Sequence, residues 1–314
     1  MDLSVLALLL PLQALPSTAA LVRGPIIDVH LHAHLPVRIG GDGPPNPITG
    51  RAAALASGDG LLDATLEAMA EHGVVLGVAS GPPAEALRWH RTAPERIAAA
   101  VKIDEASPFP ELTELRTMVE AGRVAVIGEV QAQHLGLKPD APALQAYFSL
   151  AAELDVPVAV HSGLGAPNTP FECCPEFRAS LGSPLLLEPV LVRHPGLRVN
   201  LMHAGYPYLD ETIALMLVYP DVYADLGAIS WGVIPRAEFH RYLEALMTAG
   251  LGERLMFGSD QMYWPEAIEW AIEGVSSAPF LSDRQKADIF YNNAARFLRL
   301  SEEEIARHHR AAGR

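Results

Sequence analysis

Two histidines separated by one residue, His30 and His32, end the first β-branched apolar run after Pro25. Side chains two positions apart on a β-strand point to the same face, so both imidazoles would lie side by side. Two imidazoles on one rigid strand form a chelate that suits Zn²⁺, or Mn²⁺ or Fe²⁺. His34 extends the same spacing, so His32 and His34 are an alternative pair. We favour His30 and His32 because His34 lies further into the following loop.

Three later apolar runs also end in a side chain that can bind a metal ion, namely His161, His203 and Asp260. A single buried histidine at the end of a strand is usually a hydrogen-bonded core residue. Several such residues buried without partners would together cost several kcal/mol, whereas a metal ion satisfies them at once. The sequence therefore predicts that these strand-end residues hold a divalent metal ion.

The elements that must position these residues are short apolar runs that alternate with longer amphipathic stretches. Continuous apolar runs are typical of strands buried on both faces of a parallel sheet. The predicted strands lie near Ile26–His32, Val74–Ser80, Ile97–Asp104, Val124–Val130, Val156–Ser162, Leu197–Ala204, Val222–Gly227 and Arg254–Asp260. The predicted helices include Leu62–His72, Glu111–Ala121, Ala143–Leu154, Leu209–Val218, Ala237–Thr248 and Asp283–Leu298.

This alternation predicts an α/β protein, a single-domain (β/α)8 TIM barrel over residues 25–314. An open, doubly wound sheet is the alternative, but no Gly-rich phosphate loop follows the first strand. Two unusually long segments, Leu35–Gly60 and Gly163–Gly182, follow strand ends, where barrel active sites form. We predict that they are walls or lids of the site, with passive insertions as the alternative.

The second of these segments contains two adjacent cysteines, Cys173 and Cys174, which are the only cysteines of the sequence. A disulfide framework needs separated partners, so none is predicted. We interpret the pair as two small loop residues, with a soft metal ligand or a reactive thiol as alternatives.

The composition is acidic, with a formal net charge of −14, and 50% of the residues are hydrophobic. Such a chain can bury a large core. Its charge disfavours binding to nucleic acid or to an anionic membrane through a general basic surface. We therefore expect a small-molecule substrate and no nucleic acid, and a homo-oligomer is possible.

The N-terminus carries an apolar run, Leu3–Leu15, followed by the small residues of Pro16–Ala20. This pattern resembles a secretory signal, so residues 1–24 are interpreted as a possible signal peptide or N-terminal extension. No Lys or Arg precedes the run, and a helix packed on the barrel floor is the alternative. We favour export, to the periplasm, over a cytoplasmic location. The run is too short to span a membrane, and no later segment looks transmembrane.

The set of a paired histidine, two further strand-end histidines and a final Asp260 resembles the amidohydrolase superfamily. The segments Phe257–Gln261 and Tyr291–Phe297 are similar to its amidohydrolase-related branch, which contains metal-dependent hydrolases and aminocarboxymuconate-semialdehyde-type decarboxylases. The resemblance implies that His30, His32 and His161 are metal ligands and that Asp260 touches the metal and takes a proton from water. It also implies that His203 binds a second metal or orients the attacking water.

The fourth predicted strand ends in Glu129, where many binuclear members of the superfamily carry a carboxylated lysine. A glutamate at this place resembles the TatD-like deoxyribonucleases, in which it bridges two metal ions. A second metal held by Glu129, His161 and His203 is therefore chemically reasonable. The alternative is a charged wall residue or a hydrogen-bond partner of a histidine. Asp104 and Asp225, near two other strand ends, are either carboxylates that orient a ligand or structural partners of a helix.

The predicted function is a metal-dependent hydrolase that activates water to cleave an ester, lactone or amide bond in a small molecule. Asp260 would accept the proton of the water, and His203 would help to stabilise the developing oxyanion. Trp231, Tyr263 and Arg178 are predicted substrate contacts, although packing or surface roles would explain them equally well.

Three other functions remain open on the same residues. A decarboxylase with one metal ion would use the same ligands, but it usually binds the substrate carboxylate through an arginine. No arginine stands at a predicted strand end, which favours hydrolysis.

A TatD-like nuclease is disfavoured by the acidic composition. A non-catalytic metal-binding barrel would be expected to lack Asp260 or His203, and both are present.

Overall fold

A computed structural model describes residues 24–34, 45–46, 48–51, 53, 58–104, 109–232 and 234–313. The predicted signal segment, apart from Gly24, lies outside the described residues, as does most of the loop predicted at Leu35–Gly60. Eight parallel strands follow one another in sequence order in a single sheet. The strands are β1 (Ile26–His32), β2 (Val74–Gly81), β3 (Ile97–Ile103), β4 (Val126–Val130), β5 (Val158–Val160), β6 (Val199–Leu201), β7 (Val222–Asp225) and β8 (Leu255–Met256).

Helices connect the strands and cover the outside of the sheet. In the described part of the chain they are α1 (Gly58–Glu71), α2 (Pro83–Thr92), α3 (Leu112–Glu120), α4 (Pro142–Glu153), α5 (Thr169–Glu172), α6 (Glu188–Arg193), α7 (Leu209–Val218), α8 (Arg236–Thr248), α9 (Ala267–Ser276), α10 (Asp283–Ala287), α11 (Asn293–Leu298) and α12 (Glu302–Ala312). None of these helices is long and apolar enough to cross a membrane.

The sheet closes on itself between β8 and β1. The His32 N–H donates to the Gln261 carbonyl at 2.9 Å, and the Asp260 N–H donates to the His30 carbonyl at 2.8 Å. The predicted (β/α)8 TIM barrel is therefore confirmed. Closure also brings the last predicted site residue, Asp260, beside the first predicted pair.

Apolar side chains fill the barrel below its C-terminal rim. Alternate strand residues point inward and form one cluster, made of Ile27, Val29, Leu76, Val78, Ala100, Val126, Ala159, Met202 and Met256. Tyr291 and Phe297, at the C-terminal end of the chain, join this cluster. Residues of the opposite strand face pack against the helices instead. The interior is thus a packed core, which leaves polar chemistry to the layer above it.

Several strands are shorter than predicted, because the chain leaves the strand direction at the site. The predicted strand Leu197–Ala204 ends at Leu201, and the predicted strand Arg254–Asp260 ends at Met256. His203 and Asp260 have φ values of 57° and 56°, which no β-strand accommodates. The predicted helix Asp283–Leu298 is also interrupted, by a π-helical turn over Asp288–Asn292.

The interpretation of the two cysteines as unpaired loop residues is wrong, because a disulfide joins Cys173 to Cys174 directly after α5. Cys173 is exposed and Cys174 is buried. The prediction assumed that a disulfide joins residues far apart in the chain. Adjacent cysteines can instead bond to each other within one dipeptide.

Candidate metal centre

A layer of polar side chains lies above the apolar interior, at the C-terminal ends of the strands. It contains His30, His32, Ser80, Lys102, Glu129, His161, His203, Asp225 and Asp260. Most of these side chains are buried. The residues predicted to hold metal are all members of this layer.

His30 and His32 meet Asp260 at the seam between β1 and β8. The Nε2 atom of His32 lies 2.8 Å from Oδ1 of Asp260, and the Nε2 atom of His30 lies 3.2 Å from the same oxygen. The two Nε2 atoms are 3.3 Å apart. The structure therefore brings the predicted pair and the predicted carboxylate to one point.

Glu129 extends from this point toward the histidines that follow β5 and β6. Its Oε2 lies 3.8 Å from Nε2 of His32, while its Oε1 lies 2.7 Å from Nδ1 of His161. The same Nδ1 lies 3.2 Å from Nε2 of His203. Glu129 thus reaches two groups of imidazoles, one with each carboxylate oxygen.

The outer ring nitrogens of three histidines have oxygen acceptors, and these contacts fix their tautomers. Nδ1 of His30 faces Oδ1 of Asp225 at 3.2 Å. Nδ1 of His203 faces the Gly227 carbonyl at 3.1 Å, and Nε2 of His161 faces a backbone carbonyl at 2.9 Å. Each of these oxygens accepts, so the outer nitrogen of each ring carries a proton, and the inner nitrogen is the atom available to bind a cation.

The inner nitrogens of His30 and His161 face carboxylate oxygens, and that of His203 faces His161. Each of these contacts requires either a shared proton or a cation between the two atoms. Three overlapping groups place their ligand atoms within 4.8 Å of one another: His30, His32 and Glu129; His30, His203 and Asp225; and Glu129, His161 and His203. Oε2 of Glu129 has no hydrogen-bond partner although it is buried. Nitrogen and oxygen donors of this kind suit Zn²⁺, Mn²⁺ or Fe²⁺, so the residues fit a divalent metal centre.

The backbone around these ligands departs from ordinary strand geometry. Gly128 has a φ of 149°, and a Cβ atom there would lie 2.5 Å from the Ala159 carbonyl oxygen. Only glycine therefore allows β4 to press against β5 while Glu129 turns inward. The Glu129 N–H donates to Oγ of Ser80 at 2.6 Å, which ties the turn to β2. His203 and Asp260 occupy the left-handed region, which few residues other than glycine adopt.

The carboxylates of the centre are held in their ionised form. Burial alone would raise the pKa of Asp260, but His30 and His32 outweigh it and hold that pKa well below its ordinary value. Burial also opposes ionisation of Glu129, and His161 outweighs it in the same way. Asp28, which accepts from the backbone N–H of His30, differs from these two carboxylates, since burial raises its pKa to about 7. Asp260 and Glu129 are therefore available as anionic ligands or proton acceptors at neutral pH.

Lys102 is a member of this layer that the sequence argument passed over. It shares the inward face of β3 with Ala100, and its Nζ lies 3.0 Å from Oδ2 of Asp104. Burial lowers its pKa, but the charges of Glu129 and Asp104 outweigh burial and raise it. The alternation of Ala98, Ala100 and Lys102 along the strand was the available signal.

The predicted substrate contacts lie in different surroundings. Tyr263 stacks on His34 with ring centroids 4.3 Å apart, and His34 stacks in turn on His32 at 5.3 Å. Trp231 is buried against Trp264 and a further tryptophan. His34 belongs to none of the ligand groups found among the described residues. The roles of Tyr263 and Trp231 in substrate binding stay predictions.

Arg178 lies in the long segment after β5, is exposed, and donates to the carbonyls of Pro175 and Phe177 in that segment. Its contact with substrate also stays a prediction. The same segment packs on the centre through Phe177, whose ring lies 5.0 Å from that of His134. The His134 ring in turn lies 4.7 Å from that of His161. Part of the predicted segment Gly163–Gly182 therefore packs near His161, and its role as a wall of the site stays a prediction.

Comparison with known proteins gives a family and a fold. A sequence profile of the family described as amidohydrolase matches residues 27–300. Among curated proteins, the protein fluG of Emericella nidulans is 24% identical over 162 residues. That match covers 47% of this chain and 18% of the fluG protein, so it spans a small part of that longer protein.

Solved structures share the barrel at low sequence identity. An uncharacterized TIM-barrel protein from Bordetella bronchiseptica is 19% identical, with a TM-score of 0.63 over 92% of this chain and 100% of that one. A probable 2-pyrone-4,6-dicarboxylic acid hydrolase from Acinetobacter baumannii is 15% identical, with a TM-score of 0.61 over 88% and 99%. A 2,6-dihydroxybenzoate decarboxylase from Rhizobium is 15% identical, with a TM-score of 0.59 over 88% and 99%. These similarities establish the fold alone.

Proposed function

Because this chain belongs to the amidohydrolase family of metal-dependent enzymes, we propose that it hydrolyses an ester, lactone or amide bond in a small molecule. The observation that carries the proposal is the position of Glu129, whose two oxygens face two separate groups of imidazoles. A carboxylate between two ligand groups is typical of binuclear hydrolytic centres, in which two cations clamp the reacting oxygens.

The ligand sets follow from the distances. His30, His32 and Asp260 would hold one divalent cation, and His161 and His203 would hold a second, with Glu129 between them. Zn²⁺ suits this mixture of imidazole and carboxylate, and Mn²⁺ or Fe²⁺ would also fit. A cation bound there polarises a carbonyl group and makes water acidic enough to lose a proton near neutral pH.

Asp260 is the proposed proton acceptor. Its carboxylate is ionised at neutral pH, and it lies at the meeting point of the two β1 histidines, where water and substrate would converge. It would take the proton of the attacking water and return it to the leaving group. His203 keeps its lone pair toward His161, which supports a ligand role over donation of a hydrogen bond to an oxyanion.

Metal analysis combined with isotope labelling tests the reaction. The metal-loaded protein is incubated with a panel of small lactones, esters and amides in water enriched in ¹⁸O. Hydrolysis places one solvent oxygen in the acid product, and Asp260→Asn should abolish most of the incorporation. Metal-loaded protein that converts carboxylic acids with release of CO₂, and never incorporates ¹⁸O into an acid product, would contradict the proposal.

A non-oxidative decarboxylase is the second candidate, and Lys102 is the observation that favours it. Its buried ammonium group on the inward face of β3 supplies a cation that could hold a substrate carboxylate near Glu129. Lys102→Met should then lower kcat/KM for carboxylate substrates and spare uncharged lactones. Lys138→Met, on an exposed lysine after β4, is the matched control. Equal effects of both variants would remove the support that Lys102 gives to this candidate.

A further inference from the structure

Asp225, at the end of β7, makes four hydrogen-bond contacts, two of them with histidines of the candidate metal centre. Its Oδ1 faces Nδ1 of His30 at 3.2 Å and accepts from the N–H of Gly227 at 2.8 Å and of His203 at 3.3 Å. Its Oδ2 accepts from Nδ2 of Asn200 at 2.8 Å. Both oxygens are therefore engaged, and the side chain is fully buried.

These contacts place Asp225 on the outer side of the His30 ring. The inner nitrogen, Nε2, points the other way, toward Asp260 and His32. A neutral imidazole carries one proton, so a carboxylate at Nδ1 keeps the proton there and leaves Nε2 with its lone pair. Without that acceptor, the proton would be free to occupy Nε2 and donate to Asp260, which would block the ligand atom.

Steric contacts restrict the His30 ring to the same position. A Cβ atom on Gly227 would lie 2.6 Å from Nδ1 of His30, and one on Gly258 would lie 2.8 Å from the His30 Cβ. The ring therefore lies in a slot between two glycines, with the Asp225 carboxylate at its end. Asn200, on β6, prevents the carboxylate from rotating, because it occupies the second oxygen.

We infer that Asp225, held by Asn200, is a positioning residue that fixes the Nδ1–H tautomer of His30 and the backbone of His203, and so prepares the centre for metal binding. The inference rests on the metal site of the proposed function and is independent of which bond the enzyme breaks. The Asp225 carboxylate contacts the ring of His30 and accepts from the backbone N–H of His203. One side chain therefore contacts both groups of candidate ligands.

Metal affinity and histidine tautomers test the inference without any substrate. Asp225→Ala removes the acceptor, and Asp225→Asn keeps an oxygen acceptor without the charge, since Asn200 can turn its own amide to match. Asp28→Asn is the matched control, because Asp28 is equally buried but bonds to the backbone N–H of His30 instead of the ring. Zn²⁺ affinity is measured by competition with a chromophoric chelator. Ring tautomers are measured by ¹⁵N NMR of histidine-labelled, metal-free protein over a pH series that takes His30 to its neutral form.

We expect Asp225→Ala to weaken Zn²⁺ binding about 10- to 100-fold, the usual effect of losing a carboxylate behind a metal-bound histidine. The ¹⁵N signals of His30, identified by their loss in His30→Gln, should shift away from the Nδ1–H form. Asp225→Asn should restore that form and part of the affinity, and Asp28→Asn should resemble the wild type.

Two results would overturn the inference. One is an unchanged His30 tautomer and unchanged affinity in Asp225→Ala. The other is an equal loss in Asp28→Asn, which would indicate a general response to losing a buried carboxylate. If the wild type binds no metal, the proposed function fails, and the tautomers of the metal-free protein still decide the role of Asp225. If Asp225→Ala does not fold, the affinity of Asp225→Asn decides: it should bind Zn²⁺ more weakly than both the wild type and Asp28→Asn, and affinity equal to the wild type would overturn the inference.

Discussion

The Nδ1 atom of His161 lies 2.7 Å from Oε1 of Glu129. Each of the two residues also makes a second contact. His161 is held by a backbone carbonyl at its other nitrogen, and Glu129 by Ser80 through its N–H. The imidazole of His161 is therefore held at both ring nitrogens, and the backbone of Glu129 is tied to β2. The contact between the two residues joins β4 to β5 at the level where metal ligands are expected.

Removal of the Glu129 charge should reduce the number of bound metal ions. We expect Glu129→Gln to keep the site at His30, His32 and Asp260 but to lose most of the metal at His161 and His203. Elemental analysis of dialysed protein should then show a lower metal content per chain than in the wild type. Glu85→Gln, a buried glutamate paired with Arg88 on α2, is the control and should keep its metal. Equal metal in Glu129→Gln and wild type would exclude a bridging role.

Asp260→Asn should separate proton transfer from metal binding. Asparagine keeps an oxygen ligand and tolerates the left-handed backbone at this position, where φ is 56°. It cannot accept a proton. We therefore expect most of the metal to remain while turnover falls on the order of 10²–10⁴, the usual contribution of general acid–base catalysis. Turnover near the wild-type value with full metal would show that another group is the base.

The barrel and the meeting of the candidate ligands at its rim were predictable because they depend on local pattern. Apolar runs that end in histidine or aspartate predict inward side chains at the rim, and β-strand alternation applied to His30 and His32 as expected. The pattern of β7 predicts a carboxylate at Asp225 but not its role, because its partner His30 is far away in sequence. No local signal separates a carboxylate that orients a histidine from one that caps a helix.

Gly128→Ala should disturb the candidate metal centre, because Gly128 directly precedes Glu129 where β4 packs against β5. A Cβ atom there would lie 2.5 Å from one backbone oxygen and 2.8 Å from the Ala159 Cβ, so β4 and β5 must move apart. We expect a loss of about 1–3 kcal/mol in the free energy of unfolding, as for other overpacked cores, together with weaker metal binding. Gly122→Ala also has a positive φ but no atom within 4 Å, and it should keep its metal affinity. Chemical denaturation and metal titration measure the two effects.

The cysteine pair should contain no free thiol in the oxidised protein. Thiol titration of denatured protein should detect none before reduction and both cysteines afterwards. The double variant Cys173→Ser, Cys174→Ser should change the melting temperature little, because a bridge between neighbours closes almost no chain and removes little entropy from the unfolded state. Free thiols in freshly purified, unreduced protein would contradict the disulfide.

The N-terminal segment is proposed to direct export. Its apolar run, Leu3–Leu15, followed by small residues, is the basis of the proposal. Expression of the full sequence with a C-terminal tag should yield a shortened chain in the periplasmic fraction. N-terminal sequencing locates the cut, which is expected within the first 24 residues. An intact Met1 on soluble cytoplasmic protein would argue for a structural segment.

The left-handed backbone at His203 and Asp260 has a consequence for how this barrel can be improved. Each residue holds a conformation that costs about 1–3 kcal/mol for a side chain other than glycine. Glycine at either position would relieve that cost while removing a residue of the candidate metal centre. Selection for heat resistance alone would therefore enrich inactive variants at these two sites, and a search for a more robust enzyme must score turnover alongside melting temperature.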